Sequence, residues 1–331
     1  MASGLLHKFL HLTNFRSPFL RTAVPSVAAA FALQAAVGVP SILAQSERFY
    51  DATGSATFLT VTLLSLYMPS LRVRAAASLA GVAKPPFPSL LAALGRGGDG
   101  SVNGFHWRQI ALSAGVVFWS VRLGSYLLRR VLQHGHDSRF DTIRHSPPKF
   151  AGAWVGQGAW VSLVLMPVFF VNAVPSAMLA AVPMQLTDVL GLVLFAGGFA
   201  FEILADRQKG RWLQQRRDKL HDEQFLTKGL WSRSQYPNYF GECTLWTGIA
   251  TAAAGVLVAR PVQIGLGLSG GLIGKLFALV VSFTSPAFTT FLLLKITGMP
   301  LSEKKYDDKY GHREDYQEWK RNTPKFFPKL F

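Results

Sequence analysis

The chain is most constrained by its long stretches without a single charge. Residues 22–46, 52–71, 150–187, 243–259 and 276–294 contain no Asp, Glu, Lys or Arg. Two further apolar stretches are interrupted once each, 109–128 by Arg122 and 189–205 by Glu202. A helix needs about 20 mainly apolar residues to cross a bilayer. So many such runs are hard to fold in water, which argues against a soluble all-α protein with large core helices. In lipid, a helix satisfies its own backbone. The expected fold is therefore all-α, a multi-pass transmembrane helical bundle of about seven spans. The longest run, 150–187, has room for one span and a loop.

Composition narrows the function. Charged residues make up 16% of the chain, against about 25% in ordinary soluble domains. The net charge is +16, from 34 basic and 18 acidic residues. Because Lys and Arg lie between long uncharged runs, a basic nucleic-acid binder is excluded. A chain that is 50% hydrophobic is not disordered. Cys243 is the one cysteine, which rules out an intrachain disulfide and a thiolate zinc site.

The charges fall in 129–149, in 206–233 and in the tail after Lys295. Quiet segments separate them, so the three share one face, which the positive-inside rule makes cytosolic. Seven spans then place the N-terminus in the lumen. Segment 72–108 departs from this pattern, with five basic residues and one acid. Pro85, Pro86 and Pro88 break it, and a re-entrant path is the expectation. The chain is expected to have an N-terminal membrane region, 1–104, with about two spans and a Pro/Gly-rich loop, followed by a second membrane domain, 105–331. Lys8, Arg16 and Arg21 precede any acid, which reads as a basic tail before a retained first span. A mitochondrial transit peptide is the alternative. Residues 303–320 read as one amphipathic helix bearing Tyr306, Tyr310, Tyr316 and Trp319. Pro324 and Pro328 end it, and the tail is expected to fold back on the cytosolic mouth of the bundle.

Ionisable groups inside spans are costly and mark candidate sites. Arg122 is one, with pairing or snorkelling as its structural alternative. Glu202 and Asp206 lie one helical turn apart on one face. They either pair with Arg207 or Arg211 or accept hydrogen bonds from a ligand. The densest polar block is 229–242, with Tyr236, Pro237, Asn238, Tyr239, Gly241 and Glu242. It opens the next span, as a ligand pocket would. Its structural alternative is a helix cap beside interfacial tyrosines. His134 and His136 read as solvent-exposed rather than metal-binding. No phosphate-binding loop or dinucleotide fingerprint occurs.

At these residues the chain resembles the steroid 5-alpha-reductase C-terminal-domain family of membrane proteins. The resemblance is carried by the helix around Glu202, Asp206 and Gln208, by the block Gly229–Glu242, and by a tail with Gly298, Pro300, Glu303, Tyr306, Tyr310, Gly311, Tyr316, Arg321 and Pro324. A weaker likeness includes Trp119, Arg122, Asp137 and Arg139. Together these span about 105–331. The resemblance implies seven spans, NADPH bound on the cytosolic side, and hydride delivery to a carbon–carbon double bond conjugated to a carbonyl. It implies a lipophilic small-molecule substrate in the bilayer, such as a steroid, sterol, polyprenol or related lipid, and the endoplasmic reticulum as location. By position, Asp206, Asn238 and Tyr306 match cofactor-binding residues and Arg321 a basic tail residue. Tyr239 and Glu242 complete the motif. Glu202 stands where the steroid enzymes have Asn. Tyr236 replaces a His found in many relatives, which weighs against the related isoprenylcysteine carboxyl methyltransferases, whose motif His helps hold S-adenosylmethionine. A methyltransferase and a non-catalytic membrane protein retaining the fold are the alternatives. The catalytic acid has no clear match; Asp51 and Tyr67 are the candidates for an acid–phenol pair.

Overall fold

A computed structural model describes residues 2–90, 104–134 and 137–329. His136 and most of the Pro/Gly-rich loop lie outside the described residues. Among those described, the structure is helical and has no strand. The helices are α1 (Ala2–Leu12), α2 (Pro18–Leu43), α3 (Tyr50–Leu79), α4 (Trp107–His134), α5 (Pro147–Val164), α6 (Met166–Asn172), α7 (Ser176–Ala180), α8 (Leu186–Arg217), α9 (Pro237–Leu257), α10 (Arg260–Gly265), α11 (Leu272–Phe291), α12 (Met299–Tyr310) and α13 (Glu314–Asn322). A π-helical turn, Leu292–Ile296, follows α11.

Five helical stretches are long and apolar enough to cross a membrane: α2, α3, Trp107–Arg129 of α4, α8, and the run Leu272–Tyr310 that begins with α11. The pair α5–α6 makes a sixth if its 50° bend lies within one span. Among the described residues, length and composition thus give five or six spans against the expected seven, and two features account for the difference. The bend falls where Pro167 has no N–H to give the carbonyl one turn back. Helix α9, which contains most of run 243–259, is built largely from Ala, Gly and Thr around Glu242 and is not among the span candidates. Exposed apolar side chains on the spans fit a lipid environment. Val193 on α8 is 63% exposed, and Ile273 and Val280 on α11 are 83% and 67%. The molecule is an integral membrane protein by this criterion.

The chain divides into two compact units, Met1–Asp188 with Thr251–Ser285, and Val189–Ala250 with Pro286–Phe331. This is a division by contacts, whereas the expected boundary near 104 marks the start of the family resemblance.

In the first unit α2, α3, α4 and α5 pack on one another. Phe58 lies edge-on to Trp119 and Trp160, with centroids 5.0 and 4.8 Å away. Arg72 of α3 donates to the carbonyls of Leu10, Thr13 and Arg21 and so ties down the basic N-terminal segment. Arg108 is 2% exposed and forms a fork on Asp188, with bonds of 2.9 and 2.7 Å. Its remaining N–H groups reach the carbonyls of Leu179, Val182 and Pro183. All five guanidinium donors are therefore engaged. His106 is buried beside this pair. Burial, then the Arg108 cation, pushes its imidazole down to about 4, and neutral Nδ1 accepts the Arg108 N–H at 3.3 Å.

In the second unit α8 and the first half of α9 touch backbone to backbone. A β-carbon at Gly248 would lie 2.4 Å from Phe195 N and 2.5 Å from Gly191 O. One at Gly198 would lie 2.5 Å from Leu245 N, and one at Gly241 2.7 Å from Glu202 N. Glycine is required along this seam, as in closely packed membrane helices. The single tail helix expected over 303–320 is instead two, α12 and α13. The break is at Gly311, where a β-carbon would lie 2.5 Å from Asp307 O. Asp307 holds the two together, accepting from Tyr316 Oη at 2.8 Å and from Lys320 Nζ at 2.7 Å.

Candidate functional site

The polar block and the tail are stitched together within the second unit. Gln235 N donates to Pro324 O at 2.9 Å, and Gln235 Nε2 donates to the carbonyls of Lys320 and Thr323 at 2.9 and 2.7 Å. Ser234 Oγ donates to Phe326 O at 3.0 Å, and Lys329 N to Arg233 O at 2.9 Å. On the α8 side, Trp231 Nε1 donates to Ala205 O at 3.0 Å, and Gln208 Oε1 accepts from Leu230 N at 2.8 Å. Gly229, at φ +64°, lets Gln208 come this close. The three blocks that carry the family likeness are therefore one assembled region.

Glu202 and Asp206 are both buried, at 3% and 8% exposure. Glu202 sits at the Gly241 contact, one residue from Glu242, which is half-buried. Tyr236 and Tyr239 stack with an interplanar angle of 2° and centroids 5.6 Å apart. Tyr239 also packs on Gly298 at the head of the tail. Burial, with Glu303 and the other phenols nearby, raises the Tyr236 phenol far above its ordinary value, so it stays neutral. Tyr306 is half-buried and packs on the cluster of Phe225, Tyr310 and Tyr316. Asn238 Oδ1 is enclosed and has no hydrogen-bond partner. Just before this helix the Ser234 Oγ accepts Tyr236 N at 3.1 Å in a local turn; Asn238 does not cap through its oxygen. Arg321 is exposed on α13. It is next to Lys320, whose carbonyl Gln235 holds.

Two readings need correction or completion. Asp51 and Tyr67 both belong to α3, sixteen residues apart, which is about 24 Å along a helix. They cannot form an acid–phenol pair. Asp51 instead binds Arg139 Nη2 at 3.0 and 2.8 Å, and Tyr67 packs edge-on to Phe105. Gln235 was not singled out by sequence reasoning, although it lies in the densest block. Its amide is what holds the tail in place. Among the described residues no cluster of His, Cys, Asp or Glu could hold a metal ion.

Fold and site define an integral membrane helical protein whose second unit gathers buried acids, stacked phenols and an enclosed amide under its tail. A family model, described as a protein of unknown function (DUF1295), matches residues 89–323. The match covers more than two thirds of the chain, and the chain belongs to that family. The family is related to steroid 5-alpha-reductase-like membrane proteins. No curated protein and no solved structure matches the chain.

Proposed function

We propose that the protein is an NADPH-dependent membrane oxidoreductase of the endoplasmic reticulum that reduces a carbon–carbon double bond in a lipophilic enone. The observation that carries this is Asn238: its Oδ1 is enclosed without a donor, and the residue falls in sequence between two stacked phenols, Tyr236 and Tyr239. A nicotinamide carboxamide carries the N–H2 that such an acceptor lacks, and a flat ring suits an aromatic platform. The residues present therefore fit the group. The cofactor, when bound, supplies the hydride.

The chain's own residues bind and orient. Asn238 accepts from the carboxamide and fixes the ring's rotation. Tyr236, kept neutral by burial, offers an O–H as donor. Exposed Arg207 and Arg211 on α8 supply cationic partners for phosphate oxygens. The tail, held by Gln235, excludes water from this region. Tyr236 in place of the methyltransferase His supports the reductase reading over methyl transfer.

The test is thermal stabilisation of the purified protein in detergent. A ligand that binds the native state alone, at 100 times its Kd, adds about 2.7 kcal/mol. NADPH is expected to raise the melting temperature and S-adenosylmethionine to leave it unchanged. The reverse result replaces the reductase with the methyltransferase. No effect from either favours the non-catalytic alternative.

A further inference from the structure

The two ends of the first unit differ in charge. Asp51 lies in the first turn of α3, and Arg72 and Arg74 lie near its end. The separation is about 30 Å along a helix, close to the thickness of a bilayer's hydrocarbon core. Around Asp51, acids and bases are matched. Arg139 binds Asp51 and Asp137, and Arg144 binds Glu47 and Asp141. Around Arg72 the charged groups described are cations. The remaining described acid of the unit, Asp188, is buried and bound to Arg108, so it offers no free negative charge.

Arg72 gathers this end by closing α1. It donates to Leu10 O at 2.8 Å and to Thr13 O at 2.9 Å, carbonyls that a helix end leaves without an intrahelical donor. It also holds Arg21 O, and Arg21 in turn donates to Phe15 O. Arg74 donates to Pro85 O and lies over the Phe87 ring at 4.1 Å, which brings Lys84 back to the same end. The start of α2 meets the turn after α10. A β-carbon at Gly267 would lie 3.8 Å from Pro18 Cδ, one at Gly270 3.4 Å from Arg260 Cγ, and Phe19 faces Phe277 of α11 at 6.4 Å. Exposed Arg260 and Lys275 therefore join the group. Arg21, Arg72 and Arg74 donate to neutral oxygens. Lys8, Arg16 and Lys84 are exposed, with no ion pair among the described residues.

We propose that this end of the first unit binds anionic phospholipid headgroups. The cations stand where a span ends, at the depth of the headgroups, and cations there attract anionic lipid. Leu12 and Phe15 are 78% and 38% exposed between Lys8 and Arg16. The end of α1 and the turn after it thus present apolar and cationic side chains together, as interfacial helices do. A free phosphate would meet the cations and leave Leu12 and Phe15 without an apolar partner, whereas a phospholipid supplies both. The inference does not rest on the reductase reading.

The experiment titrates the full chain in detergent with phosphatidylglycerol and, separately, with phosphatidylcholine of the same acyl chains, and counts bound lipid by native mass spectrometry. Phosphatidylglycerol is expected to bind about tenfold more tightly at low salt, with the preference shrinking as salt is raised. Lys8→Gln, Arg16→Gln and Lys84→Gln together should remove most of that preference. Arg48→Gln, Arg129→Gln and Lys149→Gln lower the net charge equally at the opposite end and should retain it. All six side chains are exposed, so the lipid-free melting temperature should hold in both triples. The charge-keeping triple Lys8→Arg, Arg16→Lys and Lys84→Arg should bind as the wild type does. Equal affinity of the wild type for the two lipids overturns the proposal whatever the variants do. An equal loss in both Gln triples overturns it as well, since net charge rather than place would then be the cause. Displacement of phosphatidylglycerol by glycerol 3-phosphate would put a free-phosphate site in its place and also overturns it; no displacement is expected.

Discussion

The buried polar groups at Arg108 and at Asn238 are built on opposite terms. Around Arg108 every donor has an acceptor, and both charges of the pair are almost wholly enclosed. Around Asn238 an acceptor is enclosed and left open, beneath a tail held in place by Gln235. A completed network keeps a fold in one arrangement and has no capacity left for a ligand. An incomplete one costs stability and persists where something else completes it. Burial alone does not separate architecture from site; the partners a buried group has or lacks must be read beside it.

The largest effect should come from breaking the completed network. Arg108→Met leaves Asp188 charged and buried without its cation, with the Gln185 N–H still donating to it, which should cost about 3–5 kcal/mol. Thermal unfolding in detergent checks this, and a loss below about 1 kcal/mol would erase the distinction drawn here. Next comes the seam of the second unit. Gly248→Ala puts a methyl group into the Phe195 and Gly191 backbone, and overpacking of this kind costs about 1–3 kcal/mol. An unchanged melting temperature would mean that α8 and α9 separate easily.

Asn238→Ala should act on the ligand rather than on the fold. NADPH affinity should fall about five- to a hundredfold, equivalent to about 1–3 kcal/mol. The ligand-free melting temperature should hold, since no cap bond is lost. Titration calorimetry beside a melting curve separates the two; unchanged affinity with a lower melting temperature makes Asn238 architectural after all. The effect that develops most gradually is a pH dependence in the first unit. His106 titrates at about 4 in the native state, below the ordinary value near 6.5. Above that ordinary value both states are neutral and stability is complete. As pH falls from 6.5 towards 4 the unfolded chain takes up a proton that the native state refuses, so stability declines. His106→Gln should flatten that part of the curve in a pH series of melts.

Much of the architecture could be read from charge alone. A span must exclude charge, so runs such as 22–46 and 52–71 mark α2 and α3 closely. The bend after Val164 was less legible, because Pro167 lies inside an unbroken apolar run. The dense block 229–242 did mark the candidate site, and Glu202 with Asp206 showed their shared burial through helical spacing. The partnership of Arg108 with Asp188 was invisible, since nothing local links residues 80 positions apart. Gln235 was overlooked for the same reason: an amide bonding to carbonyls about 85 residues away leaves no periodic trace.

The glycine seam between α8 and α9 acts as a fixed ruler for the carboxylate at its end. Glu202 lies one turn past Gly198, and its backbone rests on Gly241. Neither helix can slide closer, because no side chain separates them to be trimmed. The reach of that carboxylate is therefore set by its own two methylenes and by nothing adjustable. Glu202→Asp would withdraw the charge by about one bond length, and no movement of the helices could restore it. At this position the usual notion of a conservative exchange fails, because the surroundings have no slack with which to compensate.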